Sequence, residues 1–413
     1  MNYRENLWAI KNRKAYLIVK SFNKKQIYSV EESISKILKY AQKNVPYYAK
    51  FNSSDIKNFP ILTKNIIRSN FKELLSKNYK GKSSITYSGG STGEPVPILQ
   101  CEEYADWTNA ILFSYFKNNF EKSWQEATTL EIWGSLNDIE NKEGTNFYKK
   151  FKNIIYSSYC YNCFVFTEVD YKRCINLINR KKPFFLKGYT NSLLELAQYI
   201  DKKNIYVEEI PYILTRTCVL NNETRDFLQK VFKGRVFDLY GSREVAAIAA
   251  ERSFGKLNEY YVFNKNCYVE VNENNELLIT NFHNYSMPII RFNIGDQSKL
   301  VSKKEDLQIL GPIKGRIFDY IKFENGLKIH AQYFIQKFFK TSINQFQIEQ
   351  TKINSILINY VDPFNDLTDE FKEAFEKDLQ KLAKVEILFN WNRAKFIKKT
   401  KNGKYLYVKG LKF

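Results

Sequence analysis

An α/β protein of two parts is what this sequence predicts: a layered α/β large N-terminal domain containing a β subdomain, residues 1–314, and a small α+β C-terminal domain, residues 315–413. Three observations predict it. Strand-like and helix-like patterns alternate through the middle of the chain, as expected of a mainly parallel sheet covered by helices. After Glu251 the pattern changes to short strands separated by Asn-rich turns. From Ile317 the chain reads as a closing α+β unit of about a hundred residues, the size of a separate domain.

The elements follow in order. Ile34, Ile37, Leu38 and Ala41 recur at helical spacing between Glu32 and Lys43, and Val45-Pro46 stops that helix. Ser84 to Tyr87 is strand-like and runs into a glycine-rich stretch, Ser88 to Pro95. A strand from Val96 to Leu99 and an amphipathic helix from Glu102 to Phe116 follow. Asn191 to Ile200 reads as a helix, Tyr212 to Thr217 as a buried strand, and Glu223 to Phe232 as a helix capped by Asn221 or Asn222. Arg235 to Leu239 is the next strand. Tyr260 to Phe263, Tyr268 to Val271 and Glu276 to Thr280 are the short strands of the β subdomain. The C-terminal part reads strand, Asn325-Gly326 turn, strand, helix (Ala331 to Phe339), strand, helix (Asp369 to Leu382), strand.

Composition narrows the function classes. With 44% hydrophobic and 16% aromatic residues the chain has ample material for a core, which excludes a disordered or fibrous protein. A formal charge of +20, from 64 Lys and Arg against 44 Asp and Glu, attracts phosphates, nucleic acid or an anionic membrane surface. The lysines are scattered, so a solvated basic surface is the plain alternative. Six cysteines without paired spacing do not make a disulfide framework and fit a reducing compartment. Only Leu7 to Ile10 stand between charges near the start, too few for a signal-peptide core, and no stretch approaches the ~20 apolar residues of a membrane span. A cytoplasmic protein is expected, with peripheral membrane contact left open.

The sharpest local signal is Tyr87-Ser88-Gly89-Gly90-Ser91-Thr92-Gly93-Glu94-Pro95. Its three glycines allow close backbone approach to an anion, and Ser88, Ser91 and Thr92 add hydroxyl donors. Without a lysine after the last glycine it is not a Walker A loop, and a surface turn is the alternative reading. Gly90 to Pro95 resembles the phosphate-binding loop of adenylate-forming enzymes. Asp238 to Glu244 (DLYGSRE), Met287 to Asp296 (MPIIRFNIGD) and Gly315 to Asp319 (GRIFD) resemble that superfamily's tyrosine-glycine-glutamate, aspartate and hinge motifs, in family order. Val45 to Tyr48, Phe59 to Lys64 and Lys187 to Leu193 are similar to the phenylacetate-CoA ligase branch. Tyr240 to Glu244 and Phe346 to Gln350 are similar to the CapK-type proteins associated with bacterial capsule and surface-polysaccharide loci. The likeness spans nearly the whole chain and implies the adenylate-forming enzyme fold, with the C-terminal domain as a mobile lid.

What the resemblance implies for single residues agrees with their chemistry. Ser88, Gly89, Gly90, Ser91, Thr92 and Gly93 would cradle the ATP phosphates, Thr92 at the reacting phosphate. Glu244 would hold Mg2+ bridging the phosphates, the alternative being a helix first-turn acid. Asp296 would accept the ribose hydroxyls with its two acceptor oxygens, the alternative being a turn aspartate after Gly295. Tyr240, with Gly241, Ser242 and Arg243, would contact the nucleotide, Tyr240 by stacking on adenine or else lying in the core. Arg316 would bind ribose or phosphate beside the Gly315 hinge, or sit in a plain loop. Lys404 would meet the α-phosphate during adenylation, or belong to a basic exposed hairpin with Lys395, Lys398, Lys399 and Lys401. Trp133 and Gly134, Tyr189 and Ala246 would line the acid site.

Two features depart from the family. Val96 follows the glycine loop, where a basic or small residue is common, and Tyr405-Leu406-Tyr407 follows Lys404, where a basic residue is common. Where some relatives place Cys and His for zinc, this chain has Glu251-Arg252 and Tyr260-Tyr261, so a structural zinc site is not expected. Only two histidines, His283 and His330, are present, too few for a His-based centre, and both are expected on the surface or in strands. Cys160-Tyr161-Asn162-Cys163 lacks a second pair. The expected function is ATP-dependent adenylation of a carboxylic or amino acid and transfer to an amine or hydroxyl acceptor, with coenzyme A as the alternative acceptor. A basic nucleic-acid-binding protein is the rival of another class.

Overall fold

The computed structural model describes residues 3–22, 29–88, 96–120, 122–133, 157–162, 165–166, 168–217, 220–304, 307–314, 320–338, 341, 343, 345–362, 366–397 and 407–411. A nine-stranded sheet forms its centre, in the order Leu300–Lys304, Leu307–Leu310, Tyr260–Val262, Ala249–Ala250, Arg235–Tyr240, Tyr212–Arg216, Phe185–Tyr189, Thr129–Trp133, Ser158–Asn162. The last five strands run parallel and the first four are antiparallel neighbours. Parallel strands are covered on both faces, which is why Tyr212–Arg216 carries an unbroken buried run in its middle.

Alternation along these strands feeds two cores. On one face Leu130, Ile132, Leu186, Ile213 and Val236 pack against Leu193, Leu196 and Leu228 of the helices Thr190–Lys202 and Asn222–Phe232. On the other, Phe185, Leu214, Phe237 and Leu239 meet Ile111, Tyr115, Phe116 and Phe120 of the long helix Glu102–Phe120. Asn221 caps its helix, its side-chain oxygen accepting from the Thr224 amide at 2.8 Å.

The N-terminal segment adds structure that periodicity did not reveal. Helices Tyr3–Lys11 and Arg13–Phe22 dock on the long helix, Trp8 stacking on Phe113 with ring centroids 4.5 Å apart. Helix Val30–Asn44 stops at Val45 as expected, but Pro46 then opens the one-turn helix Pro46–Ala49. The β subdomain is the three-stranded sheet Cys267–Val271, Glu276–Asn281, Phe292–Gln297, and shares a core with Tyr48, Phe59, Leu62 and Ile67, whereas Tyr260–Val262, expected in it, pairs with Leu307–Leu310 and Ala249–Ala250 and so belongs to the central sheet. His283 is not a surface residue: it is buried, stacks on Trp107 at 3.8 Å, and its Nε2 lies 2.7 Å from the Lys265 carbonyl. Burial lowers its pKa to about 4, so the ring is neutral.

In the C-terminal part, the single strand expected between the two helices is a hairpin, Gln345–Lys352 and Ser355–Val361. Asn354 turns it, with φ of +56° in the left-handed region that Asn tolerates. The helices are Ala331–Phe338 and Asp369–Ala383, and the sheet continues with Leu388–Arg393 and Val408–Lys409. A second hairpin, Tyr320–Lys322 and Lys328–His330, pairs with Val165–Phe166. Its Tyr320 hydroxyl is 3.1 Å from Ser192 Oγ and its Lys328 pairs with Glu195 at 3.4 Å, both on the helix Thr190–Lys202.

Gly234 sits between the left-handed residue Lys233 and the strand Arg235–Tyr240, and a Cβ there would lie 1.7 Å from the Ile210 carbonyl oxygen. Backbone cannot yield as a side chain can. Gly234→Ala is expected to lower stability by about 3 kcal/mol, read as a shift of the urea midpoint at unchanged slope; an unchanged midpoint would show that the turn can relax.

Candidate active site

The site forms where the central parallel strands end. Open α/β sheets bind ligands at their carboxyl edge, and Trp133, Tyr189, Arg216 and Tyr240 are the last residues of four adjacent strands. Beyond Tyr240 the chain makes a compact reversal: the Ser242 amide donates to the Val245 carbonyl at 2.9 Å, the Val245 amide to Ser242 Oγ at 3.1 Å, and the Ile248 amide to the Tyr240 carbonyl at 3.0 Å. A Cβ on Gly241 would stand 3.0 Å from the Ala247 nitrogen, so a side chain there would crowd the turn.

Five contacts from distant parts of the chain meet on residues 240–246. Tyr240 donates from its hydroxyl to Asp296 Oδ2 at 2.9 Å. The Arg243 guanidinium donates to the Tyr87 carbonyl at 3.0 Å, and Gln100 Nε2 to the Arg243 carbonyl at 2.7 Å. Glu244 is buried and pairs with Lys64 Nζ at 3.3 Å. The Ala246 amide donates to the Tyr104 hydroxyl at 2.6 Å. Tyr87 and Gln100 belong to the antiparallel hairpin Ser83–Ser88 and Val96–Cys101, in which Ser88 faces Val96. The base of the glycine-rich connection is therefore fastened to the same turn that carries Glu244.

Of the residues singled out in the sequence, Tyr240, Gly241, Ser242, Arg243, Glu244, Ala246 and Asp296 lie together here. Tyr240 is half-buried and bonded to Asp296 through its hydroxyl. Trp133 and Tyr189 stand beside each other with ring centroids 4.7 Å apart, Tyr189 buried and Trp133 exposed. Ser88 ends its strand. Gly89, Gly90, Ser91, Thr92, Gly93, Gly134, Arg316 and Lys404 lie outside the described residues.

Lys64, Tyr104, Gln100 and Arg216 were given no role from the sequence. Lys64 stands in the Phe59–Lys64 motif, and its neighbour Leu62 bridges in parallel to Phe292, four residues before Asp296. Thr63 caps the helix Lys64–Ser69 by accepting from the Ile66 amide at 3.3 Å. That register fixes Lys64 opposite Glu244, a pairing of residues 180 positions apart that no local pattern announces.

Among the described residues no group of three or more His, Cys, Asp or Glu could hold a metal alone. A single carboxylate is compatible with Mg2+, which takes one or two carboxylates and completes its shell with phosphates and water. The Lys64 ammonium against Glu244 Oε1 demonstrates that a cation is accommodated there.

Beneath Tyr240 lies a buried polar network. Thr215 Oγ1 donates to Asp238 Oδ1 at 2.7 Å and the Tyr260 hydroxyl to Oδ2 at 2.8 Å, while the Asp238 amide donates to Glu251 Oε2. Arg225 donates to Glu251 Oε1 at 2.6 Å and to the Val236 carbonyl at 2.7 Å. Burial, reinforced by the nearby Glu251 charge, pushes the Asp238 carboxyl up to about 6 against the lowering effect of Thr215 and Tyr260. The folded state then holds this proton more tightly than the unfolded chain. The resulting stability is fully present below about pH 4 and is lost as pH rises through 6, by about 2–3 kcal/mol. Asp238→Asn is expected to remove that fall: the difference in unfolding free energy between wild type and variant should change by this amount between pH 4 and 7, and a difference constant with pH would contradict the assignment.

Comparisons with known proteins agree with this architecture. No family model matches the chain. It is similar to Protein CapK of Staphylococcus aureus, 24% identical over 353 residues that cover 78% of this chain and 75% of the relative. It is similar in structure to 2-hydroxyisobutyryl-CoA ligase in complex with 2-HIB-AMP and CoA in the thioesterification state, with a TM-score of 0.57 and 13% identity over 92% of this chain and 89% of that one. An open conformation of the same ligase superposes with a TM-score of 0.52 and 12% identity over 92% and 90% of the two chains. The chain has the fold of the adenylate-forming ligases.

Proposed function

We propose that the protein adenylates a carboxylic or amino acid at the expense of ATP and passes the acyl group to an acceptor. The observation that carries this reading is the meeting, on one turn at the carboxyl edge of the sheet, of the glycine-hairpin base, the Tyr240–Asp296 pair and the buried Glu244. A carboxylate oxygen of the acid attacks the α-phosphorus; the bond from that phosphorus to the bridging oxygen breaks, and pyrophosphate leaves with the electron pair. Little covalent work falls to the protein, which aligns the reactants and stabilises charge.

In this reading the amides and hydroxyls of Ser88 to Gly93 hold the phosphates, with Thr92 at the reacting centre. Asp296 accepts the ribose hydroxyls, Tyr240 orients Asp296 and flanks the base, and Arg243 ties the loop base to the turn. Glu244 would hold Mg2+, which supplies neutralisation of the polyphosphate charge when bound. Lys64 is the resident counter-charge of Glu244 in its buried position. Residues 315–413 act as the lid, turning about Arg316 to bring Lys404 to the α-phosphate. Trp133, Gly134, Tyr189 and Ala246 line the acid.

The likeness to Protein CapK, together with the resemblance of Tyr240 to Glu244 and Phe346 to Gln350 to the CapK-type proteins associated with surface-polysaccharide loci, is the reason to favour an amine or hydroxyl acceptor on a sugar or amino acid. A coenzyme A thioester is the second reading, supported by the fold shared with a CoA ligase. A basic nucleic-acid-binding role has only the net charge of +20 in its favour.

ATP–pyrophosphate exchange over a panel of acids tests the proposal. Wild type should exchange with at least one acid, and Glu244→Gln should reduce the rate on the order of 100-fold, as for loss of one group that stabilises transition-state charge. Near-normal exchange in that variant would remove Glu244 from its role. Acceptor competition on the accumulated adenylate then separates the readings, rapid acyl-CoA formation favouring the thioester.

A further inference from the structure

Arg216 is the last residue of the strand Tyr212–Arg216 and stands in register beside Tyr189. With Leu214 it points to the sheet face covered by the helix Glu102–Phe120. Its Nε is sealed from solvent and makes no hydrogen bond, and among the described residues its guanidinium has neither a hydrogen bond nor an ion pair. An arginine does not shed its charge in a protein. Burial lowers its pKa, with Glu131, Tyr115, Asp238 and Tyr189 offsetting the effect in part.

The carboxylates nearby are already engaged. Glu131 is ion-paired with Lys187, its register partner on the next strand. Asp238 turns to the opposite face, where Thr215 and Tyr260 donate to it. Among the described residues Lys187 and Arg216 thus face one carboxylate, Glu131, an excess of one positive charge on this face near the carboxyl edge of the sheet. Arg216 is half-buried, with its Nε sealed and no ion-pair partner among the described residues, and a guanidinium so placed at a candidate site is suited to an anion that a ligand supplies. Its planar fork is matched to a carboxylate, which accepts two parallel N–H bonds. Tyr189 and Trp133, adjacent at the same edge, offer aromatic surface for a short carbon chain.

We infer that the acid taken by this site carries a second carboxylate besides the one activated, and that Arg216 binds it: the substrate class is a short dicarboxylic acid or an acidic amino acid. This rests on the adenylation reading, and it goes further by naming the acid.

The test compares matched acids in pyrophosphate exchange: butyrate and valerate against succinate, glutarate and glutamate. Wild type is expected to favour one of the diacids at least 100-fold in kcat/KM. Arg216→Gln should abolish that preference by raising the acid KM while leaving the ATP KM unchanged, and Arg216→Lys should restore part of it. A wild-type preference for the monoacids overturns the inference, and needs no variant. A rise in the ATP KM alone also overturns it, because the guanidinium then serves the nucleotide. Exchange unaltered in a folded Arg216→Gln protein would make the residue structural. Should wild type exchange with none of these acids, calorimetric binding decides separately. Mg-ATP failing to bind sinks the adenylation reading. Glutarate binding no tighter than valerate sinks the inference, and tighter binding lost in Arg216→Gln upholds it.

Discussion

A buried ion pair between Lys64 and Glu244 joins the N-terminal quarter of the chain to the turn that leaves the central sheet. Two charges removed from water cost several kcal/mol each, and deleting either partner alone costs about 3–5 kcal/mol because the other is stranded. Such a pair is a poor way to gain stability and a good way to fix geometry. It holds the Glu244 carboxylate at one place at the carboxyl edge of the sheet. The other ties to the same turn, from Asp296, Tyr87, Gln100 and Tyr104, each add a hydrogen bond from a different element. Five separate segments thereby agree on the position of seven residues.

That arrangement suits the polyanion that the proposed reaction requires. The hairpin base, the sheet edge and the β subdomain each contribute a little, and none closes the site alone. The Asp238–Glu251–Arg225 network stiffens the strand from below, on the face opposite Arg216, so the polar groups that support the backbone are segregated from those proposed to meet the substrate. The scattered positive charge of the whole chain adds a long-range attraction for anions, screened beyond about 8–10 Å at physiological salt.

Much of this was legible in the sequence because it is local. The strand Arg235–Tyr240, the helix after Asn221, the hairpin flanking Ser88 to Pro95 and the short strands after Glu251 all follow from periodicity, caps and turn residues. What was not legible is long-range or locally ambiguous. Lys64 meets Glu244 through the register of a single bridge at Leu62, and Tyr104 reaches Ala246 across 142 positions. Arg216 looks like any strand-end cation until its neighbours are known. The hairpin Gln345–Val361 read as one strand because its turn, Ile353-Asn354, lacks glycine and proline. His283 was expected on the surface or in a strand because one histidine carries no pattern, yet it is buried against the Trp107 ring.

In the proposed reaction the turn 240–246 and Asp296 face one nucleotide together with the glycine hairpin. A crystal structure with a non-hydrolysable acyl-adenylate tests it most directly. The account predicts the ribose hydroxyls on Asp296, the phosphate against Ser88 to Gly93, and the base beside Tyr240. An adenylate bound with its ribose away from Asp296, or at a surface remote from Glu244, would contradict it.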